Sequence, residues 1–371
     1  MTKADQSVTS RGVGWGKGQP DGEAAILGPR NGLMRVLNCQ GTQIRHKDFI
    51  SWDDLSAKNY SGNNLIDRAH SRVMLVSKDG SGDSRTVQGA VNIVPDGNKE
   101  RVKIFISPGV YREKVIIPIT KPYISFIANG SSETVISWHS KASDRGPNGR
   151  TVGTFYSASV AVESDYFCAK GITFENTAQG AVPGAIGMQA VALRLSGDKA
   201  MLYRCRILGS QDTLFDHMGR HYFLECYVQG SIDFIFGNAR SLYQGCRLHA
   251  VAMSYGAVAA SQRNSPKDDS GFSFLDCRLD GSGILYLGRA WGRYARVVYS
   301  YCQLEGIIIP EGWSDWGDPS RTRTVWFGEF NCSGKGANLR KRVQWARSLN
   351  YDEARPFLDQ NYIDGNQWLR L

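Results

Sequence analysis

The chain has 371 residues, 42% of them hydrophobic and 21% charged, with a formal net charge of +9. That balance excludes a wholly disordered chain, and the length suffices for a large core without metal staples. No apolar run is long enough to span a membrane, and the cationic excess favours a polyanionic partner without choosing among nucleic acid, lipid and acidic polysaccharide.

Residues 1–72 read as a weakly structured extension. Gly12-Val13-Gly14-Trp15-Gly16-Lys17-Gly18-Gln19-Pro20 is turn-rich and aperiodic, with a short helix expected only near residues 51–55. No apolar h-region follows residues 1–6, so no signal peptide is visible, although sequons at Asn59, Asn129 and Asn331 hint at a secretory route. From Val73 to Leu371 the texture changes to short apolar runs broken by Gly, Asn and Asp. Strands are predicted over 102–106, 115–119 and 158–162, and helices over 87–94 and 352–358. The longest basic cluster, Arg340-Lys341-Arg342, reads as solvated surface, and no nucleic-acid arm is present. The eight cysteines form no C-x-x-C pair and do not cluster with histidine, so no zinc site is expected.

A repeat organises this second region. Cys168, Cys205, Cys226, Cys246, Cys277 and Cys302 recur in one context, with an aliphatic residue two places later at Ile207, Val228, Leu248, Leu279 and Leu304. The shortest step, from Cys226 to Cys246, is 20 residues. Variable steps above such a minimum suit a coil of three short strands with insertions in its turns, which predicts an all-β solenoid, a parallel β-helix with short helices at its ends. Equivalent residues then stack about 4.8 Å apart on adjacent rungs, with the cysteines pointing inward as small hydrophobes. Cys205 and Cys226 fall within the Cα range of a disulfide, and a bridge between them is expected in an oxidising compartment.

Asp212 and Asp233 each lie seven residues after a ladder cysteine, in Gly209-Ser210-Gln211-Asp212 and Gly230-Ser231-Ile232-Asp233. They should face each other across one rung, roughly 5 Å apart. Carboxylates that close titrate unequally, which suits an acid/base and nucleophile pair. Turn aspartates that merely bind backbone amides are the plainer alternative, but the apolar flanks Leu214-Phe215 and Phe234-Ile235-Phe236 make poor solvent turns. Gln211 and Gln189 add neutral N–H donors able to hold an oxyanion. Arg289 could orient a carboxylate, and Trp291 could stack on a sugar face.

These residues resemble the motifs of a plant pectin methylesterase (pectinesterase). Gly109-Val110-Tyr111-Arg112-Glu113, Gln189-Ala190-Val191-Ala192-Leu193, residues 209–214, Asp233-Phe234-Ile235-Phe236-Gly237 and Leu287-Gly288-Arg289-Ala290-Trp291 match five ordered family segments, with Ala290 where proline is usual. The resemblance covers about Val73 to Leu371 and is closest to the branch without an inhibitor-like pro-region, such as the pollen-tetrad-separation type. It implies a right-handed parallel β-helix that removes C6 methyl esters from homogalacturonan. Asp233 would be the nucleophile, Asp212 the acid and then base, and Gln189 and Gln211 the oxyanion donors. Arg289 would hold Asp233, while Trp291 and, less directly, Thr154 would contact substrate. The stretch from Thr177 to Gln189 looks longer than usual and could reshape the groove.

The family needs no metal or organic cofactor. The implied protein is a secreted, cell-wall monomer acting on methyl-esterified homogalacturonan. A proteinaceous inhibitor is a further partner, and neither nucleic acid nor membrane is. Two other readings are weighed. A β-helix polygalacturonase also places two carboxylates close together, but no Gly-His-Gly occurs. A non-catalytic pectin-binding β-helix would have no reason to keep both aspartates, both glutamines and Arg289. A serine hydrolase is disfavoured because no G-x-S-x-G is present.

Overall fold

A computed structural model describes residues 49–56, 66–67, 71–180 and 185–371. The glycine-rich run at 12–20, Asn59, Cys39 and residues 181–184 of the long 177–189 segment lie outside the described residues.

The strands stack into three parallel ladders, as expected of a parallel β-helix. One ladder runs from Arg101–Ile106 through Ala200–Tyr203, Arg220–Leu224 and Arg240–Gln244 to Trp326–Phe330. A second includes Ile172–Asn176, Arg206–Leu208 and Tyr227–Gly230, and a third includes Leu193–Leu195, Leu214–Asp216 and Ile235–Gly237. Two long strands, Arg247–Ser261 and Arg278–Arg289, run without a break from the second ladder into the third. Among the described strand pairs, only Ile66–Asp67 with Ser71–Val76 is antiparallel.

One corner repeats along the helix. Gly171, Arg204, Glu225, Gly245, Asp276, Tyr301 and Asn331 all have left-handed φ, between 47° and 68°. In this corner the N–H of Glu225 donates to Gln244 O, and that of Asp276 to Ser300 O, so each turn is bonded to the next rung. The residue after the corner points into the core. Cys205, Cys226, Cys246, Cys277, Cys302 and Cys332 hold that place, as the register Arg206–Tyr227–Arg247–Arg278–Gln303 requires. Cys332 thus extends the expected ladder, and Cys168 leaves it. Cys168 pairs in register with Met201 on the outer side of the first sheet, and Ile172 fills the ladder place on that rung.

The disulfide expected between Cys205 and Cys226 is absent; both are free and buried. In-register side chains of a parallel ladder project side by side, so the two Cβ–Sγ bonds do not converge as a disulfide requires. The thiols instead turn to strand-end carbonyls. Cys226 Sγ donates to Leu202 O at 3.4 Å, and Cys246 Sγ, Cys277 Sγ and Cys302 Sγ donate likewise to Phe223, Tyr243 and Phe274. Burial pushes the Cys205 thiol well above its ordinary pKa. Beside this column Phe223, Tyr243, Phe274 and Tyr299 stack with centroids 4.3–4.8 Å apart.

The ends and one outer face are capped. The helix Val87–Ile93 is N-capped by Thr86, which accepts from Gly89 N–H at 3.0 Å, and buries Val87, Ala90 and Val91. The expected C-terminal helix is shorter, Tyr351–Ala354, because Pro356 continues the chain as a 3₁₀ turn over Arg355–Phe357. Phe357, Tyr362, Ile363 and Trp368 then cover the first sheet together with Leu55. Ile50–Ser51 pairs in parallel with Leu369–Arg370, and Ile50 is buried, so residues 49–56 of the expected extension pack on the β-helix body. Arg340 and Lys341 are exposed, as expected of solvated surface, whereas the Arg342 side chain is only 5% exposed, with its Nε 2.7 Å from the buried Glu329 carboxylate.

Candidate active site

Asp212 and Asp233 stand at a second corner, where the chain enters the third ladder. Their φ angles are 59° and 46°, in the left-handed region that Asp tolerates better than most residues. Thr213-Leu214 and Phe234-Ile235 are all buried, so strand alternation resumes only beyond the corner and each carboxylate is left on its outside. Leu214 pairs with Ile235, which sets the two aspartates opposite each other, and Asp212 N–H donates to Ile232 O at 3.0 Å. Ser210 and Ser231 join the same two rungs through a 3.1 Å hydroxyl contact. Glycine is required at 230, because a Cβ there would fall 2.1 Å from that of Phe234. Asp233 is buried and Asp212 half-buried.

Arg289 reaches Asp233 from two rungs further on, along the register Phe236–Ala260–Arg289. Its Nε donates to Asp233 Oδ1 at 2.7 Å, and a terminal nitrogen donates to Oδ2. Burial opposes the charge on Arg289, but the Asp233 carboxylate outweighs it and holds the guanidinium pKa above its ordinary value. The guanidinium also lies 4.1 Å over the Trp316 ring.

An aromatic floor adjoins the pair. Phe215 and Phe236, each three residues after an aspartate, stack at 4.3 Å. Trp291 lies 6.0 Å from Phe236 and 6.5 Å from Trp316. At the other end Phe155 meets Phe215 edge-on at 6.2 Å and carries Arg194 over its ring at 3.7 Å. Gln211 and Gln189 are half-buried on neighbouring rungs, joined where Ala190 N–H donates to Gln211 O at 3.0 Å. Thr154 sits beside Phe155 in the short helix Gly153–Tyr156, at the edge of this floor. Among the described residues no group of three His, Cys, Asp or Glu side chains could hold a metal ion.

A family model described as Pectinesterase matches residues 73–366. The chain belongs to the pectinesterase family. It is 55% identical to Pectinesterase QRT1 of Arabidopsis thaliana over 352 residues, 89% of this chain and 92% of that protein. It is 41% identical to Pectinesterase 31 of the same plant over 313 residues, covering 82% and 96% of the two chains. Among solved structures, the pectin methylesterase from carrot superposes with a TM-score of 0.72 at 36% identity, over 80% of this chain and 94% of that one. The protein is a carboxylic ester hydrolase of the pectin methylesterase type, built as a parallel β-helix.

Several contacts of this pectinesterase were not legible in the motifs. Phe215 and Phe236 could have been found from their equal spacing after the two aspartates. Trp316, Phe155 and Arg321 carried no such signal, since they come from segments remote in sequence. Arg321 holds the Arg289–Trp291 loop by donating to Ala290 O and Trp291 O at 2.5 and 2.7 Å. Ala290, where proline is usual, donates its N–H to Ser314 O at 2.9 Å, a bond proline could not make.

Proposed function

We propose that the enzyme hydrolyses the C6 methyl ester of galacturonate residues in homogalacturonan through an acyl-enzyme on Asp233. The observation that carries this reading is the doubly bonded Arg289–Asp233 pair directly across a rung from Asp212. Arg289 fixes both Asp233 oxygens, so the carboxylate presents one defined lone-pair direction to the groove. Asp233 attacks the ester carbonyl carbon, and the carbonyl oxygen becomes an oxyanion held by the amides of Gln189 and Gln211. Collapse breaks the bond to the methoxy oxygen as Asp212 protonates it, and methanol leaves. Asp212 then takes a proton from water, the hydroxide adds to the galacturonyl carbonyl, and Asp233 departs as a carboxylate. Trp291 and Phe236 offer apolar faces to the sugar, with Thr154 at the edge. Action in the cell wall as a secreted monomer, subject to a proteinaceous inhibitor, completes the proposal. Among the described residues no helix is long and apolar enough to cross a membrane.

Carboxylates facing each other across a rung also suit a retaining glycosidase. Methanol and new reducing ends, measured together on highly methylated pectin, separate the two. The proposal expects methanol without chain cleavage, and reducing ends without methanol would replace it.

A further inference from the structure

The two long strands carry an uncharged strip beside the aspartates. Residues 250–261 and 281–288 contain no Asp, Glu, Lys or Arg, in a chain with net charge +9. Their register shifts between Val251 and Tyr255, where the first strand bulges out at the corner before the third ladder. Met253 at the bulge is 78% exposed, Tyr255 63% and Ile284 46%. Tyr255 and Ile284 are register partners, and Tyr286 is half-buried two residues further on.

This ridge is pinned to the rung that carries Asp233. Ala257 N–H donates to Ser231 O at 3.1 Å, and a Cβ on Gly256 would fall 2.1 Å from that same oxygen. By register Ala257 stands opposite Asp233. Tyr255 precedes Ala257 by two residues, which is about 7 Å along the strand and roughly the width of one sugar.

We infer that Tyr255, Ile284 and Met253 form a subsite for a methyl-esterified galacturonate next to the residue being hydrolysed, so that the enzyme selects densely esterified stretches. The inference rests on the reading proposed above and adds which neighbour the site accepts. A free carboxylate laid on this strip would lose hydration and meet no cation on either strand segment. A methyl ester there carries no charge and buries its methyl against Ile284 and the Tyr255 ring.

The test is the ratio of kcat/KM per ester on highly methylated pectin to that on sparsely methylated pectin. Ile284→Lys should lower this ratio about fivefold or more, by losing the apolar contact and attracting free carboxylates. Tyr255→Ser, which only trims the strip, should shift it in the same direction. Ile119→Lys makes the same charge change at a residue 72% exposed near the opposite end of the coil, and should leave the ratio unchanged. Both strip side chains are exposed, so the thermal midpoints should match wild type. An unchanged ratio in Ile284→Lys, or an equal shift in Ile119→Lys, overturns the subsite while the esterase reading stands. A wild-type enzyme that releases no methanol from either pectin overturns that reading and the subsite with it.

Discussion

Arg289 binds both carboxylate oxygens of Asp233 from a strand two rungs away. The pair couples the long strand Arg278–Arg289 to the corner where the aspartates sit, so the strand's end fixes where the nucleophile points. A point charge alone would not do this, because the two-pronged contact depends on the planar guanidinium fork.

Arg289→Lys should therefore keep the charge and lose the aim. The expected result is a fall in kcat of about a hundredfold with KM changed little, since a charged hydrogen bond of about 2–3 kcal/mol is lost where the reaction occurs. Steady-state kinetics on highly methylated pectin checks this. A variant within tenfold of wild-type kcat would show that Arg289 is a structural partner only.

Ala290 gives a prediction about stability rather than rate. Ala290→Pro restores the residue usual in the family but removes the N–H that donates to Ser314 O at 2.9 Å. Denaturant unfolding should show a loss of about 1–2 kcal/mol, with methanol release within a few-fold of wild type. Equal or greater stability would mean that the loop held by Arg321 does not depend on that bond.

The cysteine ladder should be redox-silent. Cys205 and Cys226 are free, buried thiols turned towards strand-end carbonyls. Non-reducing peptide mapping of unfolded, alkylated protein should recover both as free thiols, and reductant should leave the thermal midpoint unchanged. A Cys205–Cys226 cross-linked peptide would contradict the geometry of the ladder.

How far the site was legible in sequence follows from these particulars. The aspartates were visible because the same corner repeats on consecutive rungs, so Gly-Ser-x-Asp recurs in register. Cys168 departs from the ladder where the sequence departs from the pattern: the residue two places on is Lys170, and Gly171-Ile172, the left-handed corner followed by the inward residue, takes its place. Spacing also gave the stacking distance of Cys205 and Cys226 but not the direction of their Cβ atoms, and direction decides whether a disulfide forms. Trp316 reaches the floor from a turn and Phe155 from a one-turn helix, both remote in sequence from the aspartates, which periodicity cannot locate.

His217 provides a pH test. Burial, then the nearby Arg194 guanidinium, lowers its pKa from 6.5 to about 4. Between those values the unfolded chain binds more protons than the folded one, so stability should fall as pH drops from about 6.5 to about 4. His217→Asn removes that contribution. The difference in thermal midpoint between wild type and variant should shrink across this range as pH falls, and a constant difference would show that His217 does not titrate as described.

Methanol release from highly methylated pectin by Asp233→Ala tests the central claim most directly. Circular dichroism and the thermal midpoint should first show a folded β-helix. The account predicts no methanol above the buffer rate, because no acyl-enzyme can form. Retention of a tenth or more of wild-type turnover would contradict Asp233 as the nucleophile.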